Sequence, residues 1–459
     1  MTAKYQGFPG MEDILPGEIE KWQWLEEKAR IFFEANGFKE IRTPILEPTE
    51  LFVRSIGQAS DIVHKEMFSF KDRGERDMTM RPEMTASVAR AVIEKGLLKT
   101  SKSLRLYYMG PMFRAERPQA GRKRQFHQIG AEIINEKGHS PDEDTHVDYD
   151  IIALLYWFLQ NVGLKNIQLN LNDLGEEADR AKIRESLSEY FSKEKTKLCK
   201  DCQWRLEKNV LRVFDCKVHE CQPVINKAPW ESFAPLSDNF SLITKKLNSY
   251  EIPFTVNRRL VRGLDYYNGI VFEITAEGLG AQNAVAGGGR YNNLYQELGG
   301  SATPCTGFSI GMERLLAALE AQDPKIFEVI KSQRVYLAPL EETPEVLKKN
   351  SEYKFALRKN GIRVETTFGV YSFSAHLKRA NKLGVRFMLI MGLNELTNNK
   401  VMVKDLLKEE GQELNDKIFN YIDSFTGGNI GNESNLKQQL IDSDVERVIS
   451  HFKKVMNLC

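Results

Sequence analysis

Charge of one sign is the first thing missing. The chain has 64 Lys and Arg against 63 Asp and Glu, a net charge of +1, so no global field draws it to nucleic acid or an acidic surface. Any polyanion contact must use local basic patches. Long apolar runs are also missing: the longest, Ile151 to Leu159, is about half of the roughly 20 residues a membrane helix needs. The opening MTAKYQGFPGMEDILPGE has no apolar core before small cleavage residues and carries Glu12, Asp13 and Glu18. It reads as neither a signal peptide nor an Arg-rich transit peptide, and a cytoplasmic location is expected. There is no GxxxxGK[ST], which excludes a P-loop, and no internal repeat or low-complexity block. Six cysteines in 459 residues do not make a disulfide framework.

What is present is an ordinary globular mix, 42% hydrophobic and 28% charged, long enough for two to four domains at roughly 100–200 residues each. Helical periodicity runs through Glu18–Asn36, ending at Gly37, and through Thr85–Gly96 and Val147–Val162. Alternation predicts strands over Leu104–Glu116, Arg124–Asn135, Ile167–Leu171, Ile270–Ala276 and Gly307–Ile310, with the first two joined as an antiparallel hairpin. From Glu176 to about Tyr250 the chain is charged and helical. Near Arg334 the style changes: strands Val335–Pro339, Ile362–Thr367, Phe387–Met391 and Val401–Val403 alternate with helices Thr343–Lys359 and Ser372–Leu383. This predicts a small α/β domain with a mostly parallel sheet. Past Ser424 a flexible linker and an amphipathic tail to Cys459 are expected.

The hairpin carries the chemistry. Side chains alternate faces along a strand. Met112, Arg114 and Glu116 would therefore share a face on the outgoing strand, and Phe126, Gln128, Gly130 and Glu132 on the return. Ile129, Ala131 and Ile133 suit a core. One face thus gathers an arginine, a phenylalanine, a glutamine and two glutamates, a set able to hold a phosphate, stack a base and grip an ammonium group. The connecting loop adds Arg117, Gln119, Arg122 and Lys123, suited to phosphates or RNA. The alternative, a solvated charged face, fits poorly with so selective a mixture of Phe, Gln and Gly.

Gly110–Glu132 resembles motif 2 of the class II aminoacyl-tRNA synthetases in its histidyl-tRNA synthetase form. RTPILEPTELF (Arg42–Phe52) is similar to motif 1 and GFSIGMERL (Gly307–Leu315) to motif 3. LVRGLDYYNG (Leu260–Gly269) and GGGRYNNL (Gly287–Leu294) resemble the two segments that distinguish the histidine family. The resemblance spans the chain from the first helix to about residue 423. It implies an α+β fold: a class II antiparallel sheet flanked by helices over residues 1–325, with a helical insertion at 176–250. An α/β anticodon-binding domain at 333–423 and a linker with helical tail at 424–459 would follow. The implied activity is ATP-dependent histidine activation and transfer to tRNA, by a cytoplasmic homodimer with Pro44 at its interface. Magnesium would accompany ATP.

The resemblance also implies roles. Arg114 would hold the α-phosphate and the substrate carboxylate, with Arg262 beside it where other class II families place a metal ion. Adenine would stack between Phe126 and Arg314, the latter also meeting the γ-phosphate side. Glu116 would read the adenine edge and Arg122 reach the outer phosphates. Glu83 and Gln128, with Thr85 nearby, would bind the ammonium group of histidine. Glu132 and Tyr267 would read the imidazole nitrogens, and Tyr291 would line the same pocket. Arg117 and Gln119 would contact the 5′ end of the tRNA. The plainer readings are a salt bridge to Asp265 for Arg262 and core packing for the tyrosines.

Several features stand apart. Met84 occupies a position where glycine is expected, which could reshape the floor of the amino-acid site. The glycines at 287–289 are read as letting a strand backbone approach substrate closely. KTSKS (Lys99–Ser103) echoes a class I ATP-binding signature but lacks its HIGH partner, and reads as a solvated loop. Cys199 and Cys202 form a CxxC pair, with Cys216 and Cys221 following. Together they could form a tetrahedral zinc site with His219 as substitute ligand, or remain four reduced cysteines. The main rival function is a catalytically silent relative, the histidine-sensing regulatory subunit of ATP phosphoribosyltransferase. Such proteins typically lack the Arg262 segment and the anticodon domain.

Overall fold

The computed structural model describes residues 5–58, 60–118, 121–135, 141–175, 177–216, 218–229, 236–280, 283–331, 334–367, 369, 371–406, 438–442 and 445–456. The chain divides into two units, Met1–Pro324 and Lys325–Cys459.

In the first unit the strands are β1 (Lys39–Glu40), β2 (Leu46–Pro48), β3 (Phe68–Lys71), β4 (Asp77–Met80), β5 (Ser103–Phe113), β6 (Gln125–Asn135), β7 (Ile167–Asp173), β8 (Phe254–Val256), β9 (Asn268–Ala276), β10 (Ala284–Arg290) and β11 (Cys305–Gly311). Eight form one sheet in the order β1-β5-β6-β11-β10-β9-β7-β8. Its six inner strands are antiparallel to their neighbours, and only the short edge strands β1 and β8 pair in parallel. The sheet is thus antiparallel where the sequence placed its motifs.

Strand parity sorts this sheet into two faces. Tyr107, Ala131 and Phe308 are register partners across β5, β6 and β11, and they face helices. Phe33, from the Ile19–Ala35 helix, sets its ring centroid 5.5 Å from Tyr107, 5.2 Å from Phe158 and 6.2 Å from Phe308. All four rings are buried, each contributing about 1.5–3 kcal/mol by leaving water. On the other face, Tyr108, Gly130, Ser309, Gly287 and Glu273 form one transverse row across β5, β6, β11, β10 and β9. That face supports the candidate site.

A second sheet, β2-β4-β3, escaped the sequence reading because its strands of three or four residues carry no resolvable alternation. The 176–250 stretch contains helices Glu177–Lys193, Lys200–Lys208, Gln222–Asn226 and Asp238–Ser249. Its apolar residues Leu187, Phe191, Leu211 and Phe214 belong to the same buried cluster as Leu260, Tyr266 and Tyr267. Among the described residues, no helix is long and apolar enough to cross a membrane.

The second unit holds β12 (Arg334–Pro339), β13 (Arg363–Glu365), β14 (Phe387–Met391), β15 (Lys400–Asp405) and β16 (Gln438–Asp442) in the order β13-β12-β14-β15-β16. The predicted helices form over Pro344–Lys359 and Phe373–Leu383, capped by the Thr343 and Ser372 side chains. The sheet is only half parallel: β13, β12 and β14 are parallel, but β15 and β16 run antiparallel. Eight residues separate β14 from β15, fewer than a parallel crossover requires. The expected linker after Ser424 lies outside the described residues up to 437. Beyond it, the amphipathic segment is no separate tail. β16 pairs with β15, and the Val445–Val455 helix sends Val448, Ile449 and Phe452 into the core beside Val335 and Phe387.

Candidate active site

A cavity of about 910 Å³ opens over the sheet face just described. Its wall brings together Glu83, Thr85, Arg114, Glu116, Arg122, Phe126, Gln128, Arg262, Tyr267 and Arg314, residues spread over 232 positions of sequence (83 to 314).

One end of the cavity is built to accept protons. Glu83 is 3% exposed, and its carboxylate accepts the Thr85 and Ala86 backbone N–H groups at 2.7 and 2.9 Å, at the start of the Thr85–Lys95 helix. Burial raises its pKa, opposed by those N–H bonds and by Arg114. Gln128 donates to the Ser309 hydroxyl at 3.3 Å, while its buried Oε1 has no hydrogen-bond partner. A buried carboxylate and a vacant amide oxygen suit a substrate ammonium.

Behind this wall lies Glu132, 1% exposed. It accepts from the Thr85 hydroxyl at 2.8 Å, from Tyr108 at 3.4 Å and from Tyr291. Desolvation pushes its pKa up to about 8 despite those hydroxyls. Tyr291 was expected to line the pocket; it is buried behind the wall, bonded to Glu132. Tyr267 does line it, its ring centroid 4.7 Å from Tyr266 and 6.4 Å from Tyr291. Burial raises the Tyr267 phenol to about 12, so it stands as a neutral donor. Gly307 explains how Glu132 fits: a Cβ there would overlap its carboxylate.

The other end is cationic. Arg114 Nε donates to Pro82 O at 3.0 Å, and its guanidinium lies over the Phe126 ring at 5.1 Å. Arg314 donates to Gly121 O at 2.9 Å and Ala284 O at 2.8 Å. Desolvation, then Arg122, lowers its pKa, with Arg114 adding to the effect; cations so crowded favour a bound polyanion. Arg122 lies 3.3 Å from Glu116. Phe126 and Arg314, between which adenine was expected, both line this end of the cavity. Arg117 is exposed, and Gln119 lies outside the described residues.

Arg262 pairs with Glu273 at 2.9 Å, not with Asp265. Asp265 instead accepts from Asn209 at 2.9 Å and lies 3.5 Å from Arg212. The Arg262 Nε is buried without a hydrogen-bond partner. Gly287, on β10 opposite Glu273, makes room for it, since a Cβ there would overlap the guanidinium. The first of the three glycines therefore admits a side chain of this chain rather than a substrate. Met84 does not form the floor: it is 1% exposed in the core, its sulfur accepting the Thr43 hydroxyl at 3.0 Å.

Sequence reasoning missed Tyr108, Tyr266, Glu273 and Arg81. Parity along β5 would have found Tyr108, two residues before Gly110. Arg81 is 3% exposed and ties Thr43 O (2.7 Å) and Pro44 O (3.3 Å) to Pro111 O (3.0 Å), linking the motif 1 segment to the hairpin.

The four cysteines of the insertion converge. The sulfurs of Cys199, Cys202, Cys216 and Cys221 all lie within 4.8 Å of one another. His219 is exposed and outside the group.

Comparison with known proteins agrees with this geometry. Residues 10–315 match the family described as histidyl-tRNA synthetase, and residues 334–419 the anticodon-binding domain family. The chain is 43% identical over 408 residues to a histidine–tRNA ligase of Syntrophotalea carbinolica, covering 87% of this chain and 93% of that protein. It is 41% identical over 412 residues to one from Desulforamulus reducens, covering 88% and 95%. The crystal structure of apo S. aureus histidyl-tRNA synthetase superposes with a TM-score of 0.66 at 29% identity, covering 98% of this chain and all of that one.

Proposed function

The chain belongs to the histidyl-tRNA synthetase family, class II ligases that activate histidine with ATP and load it onto tRNA, and on that premise we propose which residues perform each step. In activation, a carboxylate oxygen of histidine attacks the α-phosphorus of ATP, and the bond to the bridging oxygen of pyrophosphate breaks. No protein nucleophile is needed. The reaction needs two reactants held in line and cations where phosphate charge develops.

In this reading Glu83 and the free Oε1 of Gln128 take the ammonium group, with Thr85 beside them. Tyr267 and Glu132 read the imidazole nitrogens, and Tyr291 acts on substrate through Glu132. Such a pocket rejects side chains lacking a ring N–H, because its buried acceptors would be left unpaired. Arg114 bridges the histidine carboxylate and the α-phosphate, and Arg262, from the loop before β9, stabilises the same phosphate. Phe126 and Arg314 hold adenine, Glu116 reads its edge, and Arg122 with Arg314 meets the outer phosphates. The observation that carries the proposal is the polarity of the cavity: the buried Glu83 carboxylate and the unpartnered Gln128 Oε1 at one end, and the guanidinium groups of Arg114, Arg122, Arg262 and Arg314 around the rest.

Among the described residues the cysteine cluster is the one group of three or more ligating side chains close enough to hold an ion. Magnesium would accompany ATP and supply positive charge to its phosphates. A structural zinc ion on the four cysteines belongs to the same reading. For transfer, Arg117 and Gln119 contact the tRNA end. Residues 333–423, extended by β16 and the final helix, bind the anticodon; residues 1–325 form the catalytic domain, with 176–250 inserted. Homodimerisation through the motif 1 edge is supported by exposed Pro44, Ile45, Leu46 and Phe70. A cytoplasmic location fits the same reading.

The regulatory-subunit alternative is not favoured, because the Arg262 segment and the anticodon-domain match are both present. Pyrophosphate exchange assayed with each of the twenty amino acids tests the proposal. Histidine alone should support exchange. No exchange, or equal exchange with another amino acid, would overturn it.

A further inference from the structure

The helical insertion holds the loop that presents Arg262, and its grip falls on both sides of that residue. Before Arg262, Arg259 donates to the Asn226 side chain at 2.6 Å and to its carbonyl at 2.7 Å. After it, Arg212 donates to Gly263 O, and Asn209 donates to Asp265 at 2.9 Å. Arg205 reaches further, to Asp61 at 2.6 Å.

The gripping residues are interleaved with the four cysteines. Arg205, Asn209 and Arg212 lie between Cys202 and Cys216, and Asn226 follows Cys221 by five positions. The 200–226 segment is built of short helices and 3₁₀ turns; Leu211 and Phe214 seat it on the cluster that holds Leu260 and Tyr266, and what joins the cysteines sets where its polar gripping groups fall.

The four sulfurs are arranged for a metal. Tetrahedral zinc with Zn–S of about 2.3 Å sets sulfurs about 3.8 Å apart. Here Cys199 and Cys216 are 3.9 Å apart, and all four fall within 4.8 Å. Backbone N–H groups point at the sulfurs as they do at thiolates: Cys199 N to Cys221 Sγ at 3.1 Å, Val218 N to Cys216 Sγ at 3.4 Å, and Cys202 N to Cys199 Sγ at 3.5 Å. Three of the four cysteines are buried, where thiols in contact without a metal would bring no comparable bonding.

We infer that one zinc ion bound by Cys199, Cys202, Cys216 and Cys221 fixes the insertion as a clamp that positions Arg262. The metal takes no part in the chemistry. It closes the Cys199–Cys221 segment so that Arg212 and Asn209 meet the 263–265 backbone and side chain at fixed places. This rests on the assignment of zinc to the thiols and of Arg262 to the reacting phosphate. Histidine-dependent exchange by the wild type and its loss in Arg262→Ala, measured first, test the second assignment separately.

The full chain, purified without chelator, should carry about one zinc per chain by elemental analysis; below about 0.2 equivalents, with four thiols titratable, overturns the inference. Cobalt exchanged into the site should give the intense visible bands of tetrahedral thiolate ligation, and octahedral bands would contradict it. Zinc removal should lower kcat of exchange by about 100-fold, the scale of a misplaced reacting group, with KM for ATP nearly unchanged and activity restored by added zinc. Arg212→Ala, which leaves the cysteines intact, should retain zinc and still lose kcat. If zinc leaves and kcat does not change, or if Arg212→Ala turns over normally, the clamp is wrong.

Discussion

Gly287→Ala isolates the placement of Arg262 without touching its charge. An alanine Cβ at position 287 would overlap the Arg262 guanidinium. The obstacle is the tip of a long flexible side chain, so the strand need not move. A trapped overlap would cost about 1–3 kcal/mol of stability; a guanidinium free to swing away turns that strain into displacement. Arg262 would then leave Glu273, its partner at 2.9 Å. Loss of one oriented donor from a transition state costs about 2.7–4 kcal/mol, or about 10²–10³ in kcat. Single-turnover histidyl-adenylate formation should therefore slow by that factor while Tm changes by only a few degrees. The decisive arm is the double mutant: in an Arg262→Ala background, Gly287→Ala should have almost no further effect, because its target is gone. Additive losses, or wild-type rates in the single mutant, would refute the reasoning.

Two further outcomes follow from the same geometry. Glu132 has a folded-state pKa of about 8 against an ordinary 4.5. Its contribution to stability is therefore full below about pH 4.5 and is lost as pH rises through about 8. Glu132→Gln, which cannot ionise, should gain Tm relative to wild type between pH 5 and 8.5, while weakening histidine binding at every pH. A Tm difference independent of pH would contradict the buried carboxylate. Arg117→Ala, at an exposed position of the motif 2 loop, should reduce tRNA aminoacylation about tenfold, as loss of a phosphate-type contact does, and leave adenylate formation within a factor of two. Equal losses in both assays would remove Arg117 from the tRNA contact.

Much of the site was legible in the sequence wherever regular backbone carried it. Period-two alternation placed Phe126, Gln128 and Glu132 on one face, and β6 holds them there. The reading weakened where the backbone turned irregular. β5 ends at Phe113; one further cross-strand bond, Arg114 N to Arg124 O at 2.8 Å, carries the pairing to Arg114, and beyond it strand parity no longer places Glu116. Partner choice was harder still. Asp265 is near Arg262 in sequence, but the insertion claims it, and Glu273 reaches Arg262 only through the register of β9 with β10. Met84 looked like a floor residue because its neighbours are; its side chain turns toward Thr43 instead. The final helix looked like a tail because the residues before it lack pattern. Its Phe452, 5.6 Å from the Phe387 ring, belongs to the core of the second unit.

The central claim is that one cavity holds both halves of adenylated histidine, and a crystal structure with a non-hydrolysable histidyl-adenylate analogue tests it most directly. The account expects the ammonium group within hydrogen-bond distance of Glu83 and Gln128 and the imidazole against Tyr267. The phosphate-equivalent group should lie between Arg114 and Arg262, with adenine on Phe126. An analogue bound with its imidazole toward Arg122, or its phosphate-equivalent group out of reach of Arg262, would contradict it.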